Sequence, residues 1–484
     1  MGLKVVIVSI YAFFIIAIGV LGMRKTRSFV DFFLGGGNVG PWMTAFTYGA
    51  AYFSAVLFIG FAGSIGWNFG YSGLWIAAGN TFVGVLLVWA LLGYRIKKVS
   101  LDYNVTTLCE YLEKRYNSKF LKIFGALSIF IFFIPYSAAV FIGLSYLFQT
   151  NFNIHFTLAL LFMGTFTALY LVLGGYKSMT MIDVFFGLIM VAGVILLLSS
   201  TIVAGGGLTN LTADLSKIDS RLTGRVGPPG AWALFTLVFL TSVAPMGMPQ
   251  LVQKFFAVKD KKSIRLGMIA STIFSLLVSG TAYFTGAAAR VFLSPEKTPD
   301  AFSQGKPIVD NVMPVFLSTV VPDSLSVLIL LLILSASMST LAALILISSS
   351  AIVKDLYAGF IKPNTSDRQL TLAMRVTSGL FIFLSVFFAY FRHATIVAIL
   401  GISWGAIGSV FLGPFIWGLL MKQANRNGAI ASAVLGLGTC IILYIIGRPS
   451  PEAGTIGMLV SLAVNPLVSL LAADIQSVRL VSKE

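Results

Sequence analysis

The chain has 484 residues, 57% of them hydrophobic and only 10% charged, and its 33 basic against 17 acidic side chains give a formal net charge of +16. That balance excludes a soluble globular protein and leaves no polar stretch long enough for a soluble domain. Apolar runs recur at helical length without the strict alternation of a barrel, so the expectation is an all-α, polytopic membrane protein.

In chain order, the runs predict about 13 transmembrane helices at 4–22, 40–66, 73–93, 121–147, 155–174, 180–204, 229–253, 264–288, 325–353, 370–390, 394–421, 427–447 and 453–473. The first run lacks a preceding basic cluster and a small-residue cleavage site, and reads as a retained helix. Alternate loops carry the basic residues: Arg24, Lys25 and Arg27; then Arg95, Lys97, Lys98, Lys114, Arg115, Lys119 and Lys122; then Lys177; then Lys254, Lys259, Lys261, Lys262 and Arg265. The series continues with Lys354, Lys362 and Arg368, with Lys422 and Arg426, and with Arg479 and Lys483. The positive-inside rule accounts for this excess, placing the N-terminus outside and the C-terminus in the cytoplasm of a cell (inner or plasma) membrane. The lipid bilayer is then the partner that the basic balance implies; a nucleic acid is not needed, and no obligate protein partner is evident.

Two spans are interrupted. The second holds Gly49-Ala-Ala-Tyr-Phe-Ser54 followed by Gly60, Gly63 and Gly66; the seventh holds Pro245-Met-Gly-Met-Pro249, where each proline removes an amide donor. Carbonyls freed inside a membrane are tolerated only if buried in protein or facing a cavity. The interruptions lie five spans apart, so the two five-helix units sit in opposite orientations, the inverted-repeat plan of many secondary transporters. The expected division is 1–39 for an extra helix and first inside loop, 40–204 for the first repeat, and 205–228 for an outside linker. The second repeat follows at 229–421, with an outside loop at 290–324, and two more helices and a tail occupy 422–484. The apolar stretch 308–319 within that outside loop predicts a short interfacial helix, either an outer lid or plain linker.

The ninth span contains Leu334-Ser-Ala-Ser-Met-Ser-Thr-Leu341. On a helix, Ala336, Ser339 and Thr340 share a face at i, i+3 and i+4. An oxygen cluster of this kind suits a hard cation; hydroxyls that pack one helix on another are the equal alternative. Cys109 and Cys440 make no metal spacing and read as free thiols, while His155 and His393 fall at loop edges. With no clustered His, Cys or paired carboxylates in the spans, no enzyme is expected.

Several motifs in order carry a resemblance: Asp31-Phe-Phe-Leu-Gly-Gly-Gly37, Thr107-Leu-Cys-Glu-Tyr-Leu-Glu-Lys-Arg-Tyr116, Gly174-Gly-Tyr-Lys-Ser-Met-Thr-Met-Ile-Asp183, Gly247-Met-Pro249 with Lys254 and Phe255, and Met338-Ser-Thr-Leu341 followed by Ser348-Ser-Ser-Ala-Ile-Val-Lys-Asp-Leu-Tyr357. Together they resemble the sodium:solute symporter family, in particular its sodium/proline and sodium/pantothenate branches. The resemblance implies a five-plus-five inverted-repeat (LeuT-like) core and one coupling Na+, bound by carbonyls of Ala50, Phe53 and Ala336 and hydroxyls of Ser339 and Thr340. It implies a solute site at Ala51, Tyr52, Ser54, Tyr136, Gly247 and Pro249. The hydroxyls of a second family sodium site are replaced by Ala342 and Ala343, which leaves Asp183 for gating or coupling. At Tyr52 the proline symporters carry an aspartate, so a mechanism that relies on that carboxylate does not transfer.

The expected activity is sodium-coupled symport of a small carboxylate-bearing solute: a proline-like amino acid, pantothenate or a monocarboxylate. One sodium entering down about 100 mV releases about 2.3 kcal/mol, and a tenfold gradient adds about 1.4 kcal/mol. A zwitterion collects both terms, whereas a monoanion cancels the voltage term. A proton-coupled symporter using Asp183, or a non-transporting solute sensor, are the alternatives.

Overall fold

The computed structural model describes residues 2–25, 33, 39–323 and 325–481. The motif at 31–37 lies outside these residues except for Phe33, as do Arg27 and Lys483. The described chain is helical apart from short connections and one hairpin, β1 (Phe302–Ser303) with β2 (Lys306–Pro307), in the loop after the eighth expected span.

The main helices are α1 (Gly2–Lys25), α2 (Pro41–Tyr52), α3 (Val56–Gly66), α4 (Asn80–Gly93), α5 (Leu108–Tyr116), α6 (Lys119–Phe152) and α7 (Phe156–Ala204). They continue as α8 (Ala231–Val243), α9 (Pro249–Ala257), α10 (Lys261–Phe292), α11 (Val309–Val320), α12 (Ser326–Ser350), α13 (Ala351–Ile361), α14 (Asp367–Phe391), α15 (Ile396–Leu420), α16 (Arg426–Ile445) and α17 (Ser450–Val481). Among the described residues, ten helices are long and apolar enough to cross a membrane, or eleven if the bent pair α8–α9 counts as one span.

The expected count of thirteen differs for two physical reasons. The second and third spans are joined within Val56–Asp102, which stays helical except where Gly70, at φ +60° and ψ −139°, turns the chain. A Cβ there would sit 2.2 Å from the Leu222 carbonyl oxygen, so the turn requires glycine twice over. The fifth and sixth spans are joined as well: helical hydrogen bonding runs unbroken along α7, whose apolar stretches are the short Phe156–Val172 and the longer Met179–Ala204.

Close packing follows from small residues. A Cβ on Gly286 of α10 would lie 2.0 Å from the Ala62 carbonyl oxygen of α3, so these backbones touch. The large side chains at the protein's outer wall, such as Phe13, Phe383 and Ile445, are exposed as a lipid-facing surface demands. By contrast α12 is buried along nearly its whole length, which makes it the central post of the bundle. An amphipathic helix, Leu208–Ile218, forms in the expected outside linker, and α11 forms within the expected loop helix at 308–319. Asp310 on α11 accepts the Ile396 amide at 3.1 Å, covering a donor that the first turn of α15 leaves unpaired.

Candidate functional site

The site begins where α2 ends. Phe53 adopts an extended conformation (φ −111°, ψ 126°), and helix resumes at α3. The amides beyond the break find other acceptors: Val56 N–H donates to Ser54 Oγ at 3.2 Å, and Ala55 N–H to Ser337 Oγ of α12 at 2.9 Å. In an unbroken helix, Ala50 and Ala51 would have accepted from Ser54 and Ala55. Their carbonyls are released instead, and Thr340 Oγ1 stands 3.2 Å from Ala50 O, 3.4 Å from Ala51 O and 3.1 Å from Ala336 O.

Four oxygens thus converge from two helices far apart in sequence. Ser339 is fully buried beside Asp183, and its Oγ makes no close hydrogen bond among the described residues, so a further oxygen is available at this place. Phe53, the remaining expected ligand, lies in the break itself, its ring stacked on Tyr52 at 4.5 Å. Neutral oxygens of this number and type fit a hard monovalent cation such as sodium. Asp183 is fully buried beside Ser339 and Thr47, with Lys254 of α9 acting on it electrostatically, while neither carboxylate oxygen makes a close hydrogen bond among the described residues.

The second break is in α8–α9. Pro245 opens a single 3₁₀ turn, Ala244–Gly247, Met248 is extended, and Pro249 starts α9, whose axis is bent 42° from α8. Tyr52 Oη donates to the Thr241 carbonyl at 2.5 Å and ties the first break to the helix leading into the second.

Between the breaks lies a small cavity. Of the residues expected at a solute site, Tyr52, Ser54 and Tyr136 line it. Ala51 is buried against α12, Gly247 packs on Leu412 of α15, and Pro249 lines a different cavity on the far side of the cation site. Sequence reasoning missed Asn80, Thr241, Tyr283 and Trp404, which complete the polar part of the wall. Trp404 is buried with no close acceptor for its indole N–H among the described residues; Tyr136 is its nearest polar neighbour, the two rings edge-on at 5.8 Å. No periodicity marks these four, because each has other buried polar residues beside it, such as Thr81, Ser242, Thr281 and Ser403, and only the packing decides which one faces the cavity.

Paired broken helices, a buried cluster of oxygens and a cavity beside it with polar groups in its wall follow the plan of a secondary transporter. The sodium:solute symporter family model matches residues 32–436, and the chain belongs to that family. It is 29% identical to the sodium/pantothenate symporter of Escherichia coli K12 over 95% of this chain and 96% of the relative. It is 27% identical to the sodium/proline symporter of the same organism, over 90% and 86%. Its fold is similar to that of a Na+-coupled sialic acid symporter, with a TM-score of 0.82 and 18% identity over 97% of this chain and 98% of the other. These relatives are symporters, not enzymes, and the five-plus-five architecture expected from the two breaks is the fold of this class.

Proposed function

We propose that this protein imports a small solute with a carboxylate on a partly apolar body, coupled to one sodium ion, by alternating access. The observation that carries this reading is the adjacency of two neutral sites: the oxygen cluster of Ala50, Ala336, Ser339 and Thr340, and the cavity walled by Tyr52, Tyr136, Tyr283, Asn80 and Trp404. Among the described residues, no formally charged side chain lines that cavity. A carboxylate there is held by hydroxyl, amide and indole donors, with the sodium nearby balancing its charge, while the aromatic faces take the apolar body.

In this reading sodium fixes the break between α2 and α3 against α12, and the Tyr52–Thr241 bond passes that order to α8. Solute binding completes the cavity, and the inner halves of the broken helices then swing to open the opposite side. The proposed repeats are 40–204 and 229–421, with the N-terminus outside and the basic loops in the cytoplasm of the cell membrane. Ala342 and Ala343 offer no further hydroxyls beside Asp183, which favours a single sodium. A second reading, proton coupling through Asp183, draws on that buried carboxyl next to Ser339.

Uptake of labelled proline, pantothenate, acetate and pyruvate into proteoliposomes tests both readings, with an inward sodium gradient and with potassium in its place. Sodium-dependent uptake of one solute supports the first. Failure of all four in sodium, with uptake driven by a proton gradient, supports the second.

A further inference from the structure

A second, small cavity lies between α9, α12 and the loop entering α5. Ser350, on its wall, is ten residues beyond Thr340 on α12, about 15 Å along the axis toward the end where α5 and its basic residues gather. Five of its side chains bring oxygen, of which Thr106 Oγ1 is committed to Glu110 at 2.9 Å. Asp355 is buried and its Oδ1 accepts from Thr107 Oγ1 at 2.6 Å. Ser350 is 1% exposed and its Oγ has no hydrogen-bond partner among the described residues. Gln253, 2% exposed, commits its Nε2 to the Phe33 carbonyl at 2.8 Å, which leaves Oε1 as its orphan end.

The ammonium groups around this cavity are committed elsewhere. Lys122 is paired with Glu113 at 2.7 Å and Lys354 with Glu110 at 3.6 Å, so both ammonium groups that act on Asp355 already face another carboxylate. A third, Lys97, donates to the carbonyl of Phe256 on the cavity wall at 3.1 Å. Orphaned oxygens beside a buried carboxyl group in one space suit a monovalent hard cation.

We propose that Asp355, Ser350 and Gln253 form a second, transient sodium site, with Thr107 orienting the carboxyl group, a release station through which the ion passes from the Ser339–Thr340 cage to the inner face. This rests on the sodium-coupled reading above. One carboxylate draws the ion down from a neutral cage, and the few remaining ligands hold it weakly enough to let it go. Pro249 and Gln253 belong to α9, the inner half of the second broken helix, so movement of α9 in the transport cycle takes apart one wall of the station as the path opens.

The test is inhibition of solute uptake by sodium loaded inside right-side-out membrane vesicles. In Asp355→Asn, which keeps the shape and an acceptor for Thr107, the internal sodium concentration for half-inhibition rises about tenfold, while half-saturation by external sodium stays within about twofold. Ser350→Ala shifts the internal value the same way by about threefold, and carries the test should the Asp355 variant fail to fold. Thr107→Val breaks the bond to Asp355 but spares the carboxylate, and keeps most of the internal sodium sensitivity. Wild-type internal sensitivity in Asp355→Asn and Ser350→Ala overturns the station, as does a Thr107→Val variant that behaves like Asp355→Asn, because the carboxylate is then a structural tie. Wild-type uptake without any sodium dependence is a separate result: it removes the sodium reading itself, and the station with it.

Discussion

Thr340 Oγ1 lies 3.2 Å from the carbonyl oxygen of Ala50, a residue 290 positions earlier in the chain. The contact exists because the helix stops at Phe53 and leaves that carbonyl without an amide. It joins the broken helix to the buried post α12, and the predictions about coupling follow from it.

Replacing Ser339 or Thr340 by alanine removes one neutral oxygen from the cage. The apparent affinity for external sodium in uptake assays falls about tenfold in each variant, while Thr340→Ser stays within about threefold of wild type. Sodium activation curves that are superimposable on wild type for both alanine variants would refute the cage.

Trp404→Phe keeps an aromatic wall but removes the indole N–H. If that group binds solute, the solute KM rises about tenfold, the equivalent of one hydrogen bond of about 1.4 kcal/mol, and the sodium half-saturation moves by less than about twofold. Equal shifts in both constants would instead point to packing against Tyr136.

Gly286→Ala forces a methyl group into the Ala62 backbone of α3. A loss of about 1–3 kcal/mol is expected, read as a lower thermal unfolding midpoint in detergent. Gly280→Ala, on the same helix with open space around it, is the control and leaves the midpoint unchanged or slightly raised. A wild-type midpoint for Gly286→Ala would show that α3 and α10 are not in backbone contact.

Asp310, outside the membrane-spanning helices, has its carboxyl pushed up to about 6 by burial, against the partly compensating Ile396 amide. An acid whose folded pKa exceeds its unfolded value binds more protons when folded, so its charged form costs stability, and that cost is relieved as pH falls through about 6. Lowering the pH from about 7 to about 5 therefore stabilises wild type relative to Asp310→Asn by about 1.3 kcal/mol. Parallel pH profiles for the two proteins in thermal unfolding would show that this carboxyl is already solvated.

Much of this was legible in one dimension. Membrane helices announce themselves by apolar length, since every backbone group must be satisfied internally. The breaks at Gly49–Ser54 and Pro245–Pro249 show as runs of residues that cannot hold a helix at mid-membrane. Ala336, Ser339 and Thr340 were readable as one face because helical spacing is local. Span ends at Gly70 and along α7 were less legible, because a single left-handed glycine, or a helix that continues past its apolar stretch, changes the count without changing the composition.

The amino-acid sequence by itself determined the membrane class, the two interrupted spans and the family, all of which depend on local hydrophobicity, local backbone chemistry and ordered motifs. Only the tertiary structure decided which side chains share a cavity. It brought Asn80, Tyr283 and Trp404 to Tyr136, and it moved Gly247 and Pro249 away from that wall. The reason is physical: a solute pocket is built from single inward-facing groups on helices distant in sequence, and their convergence is set by helix packing, which no local pattern records.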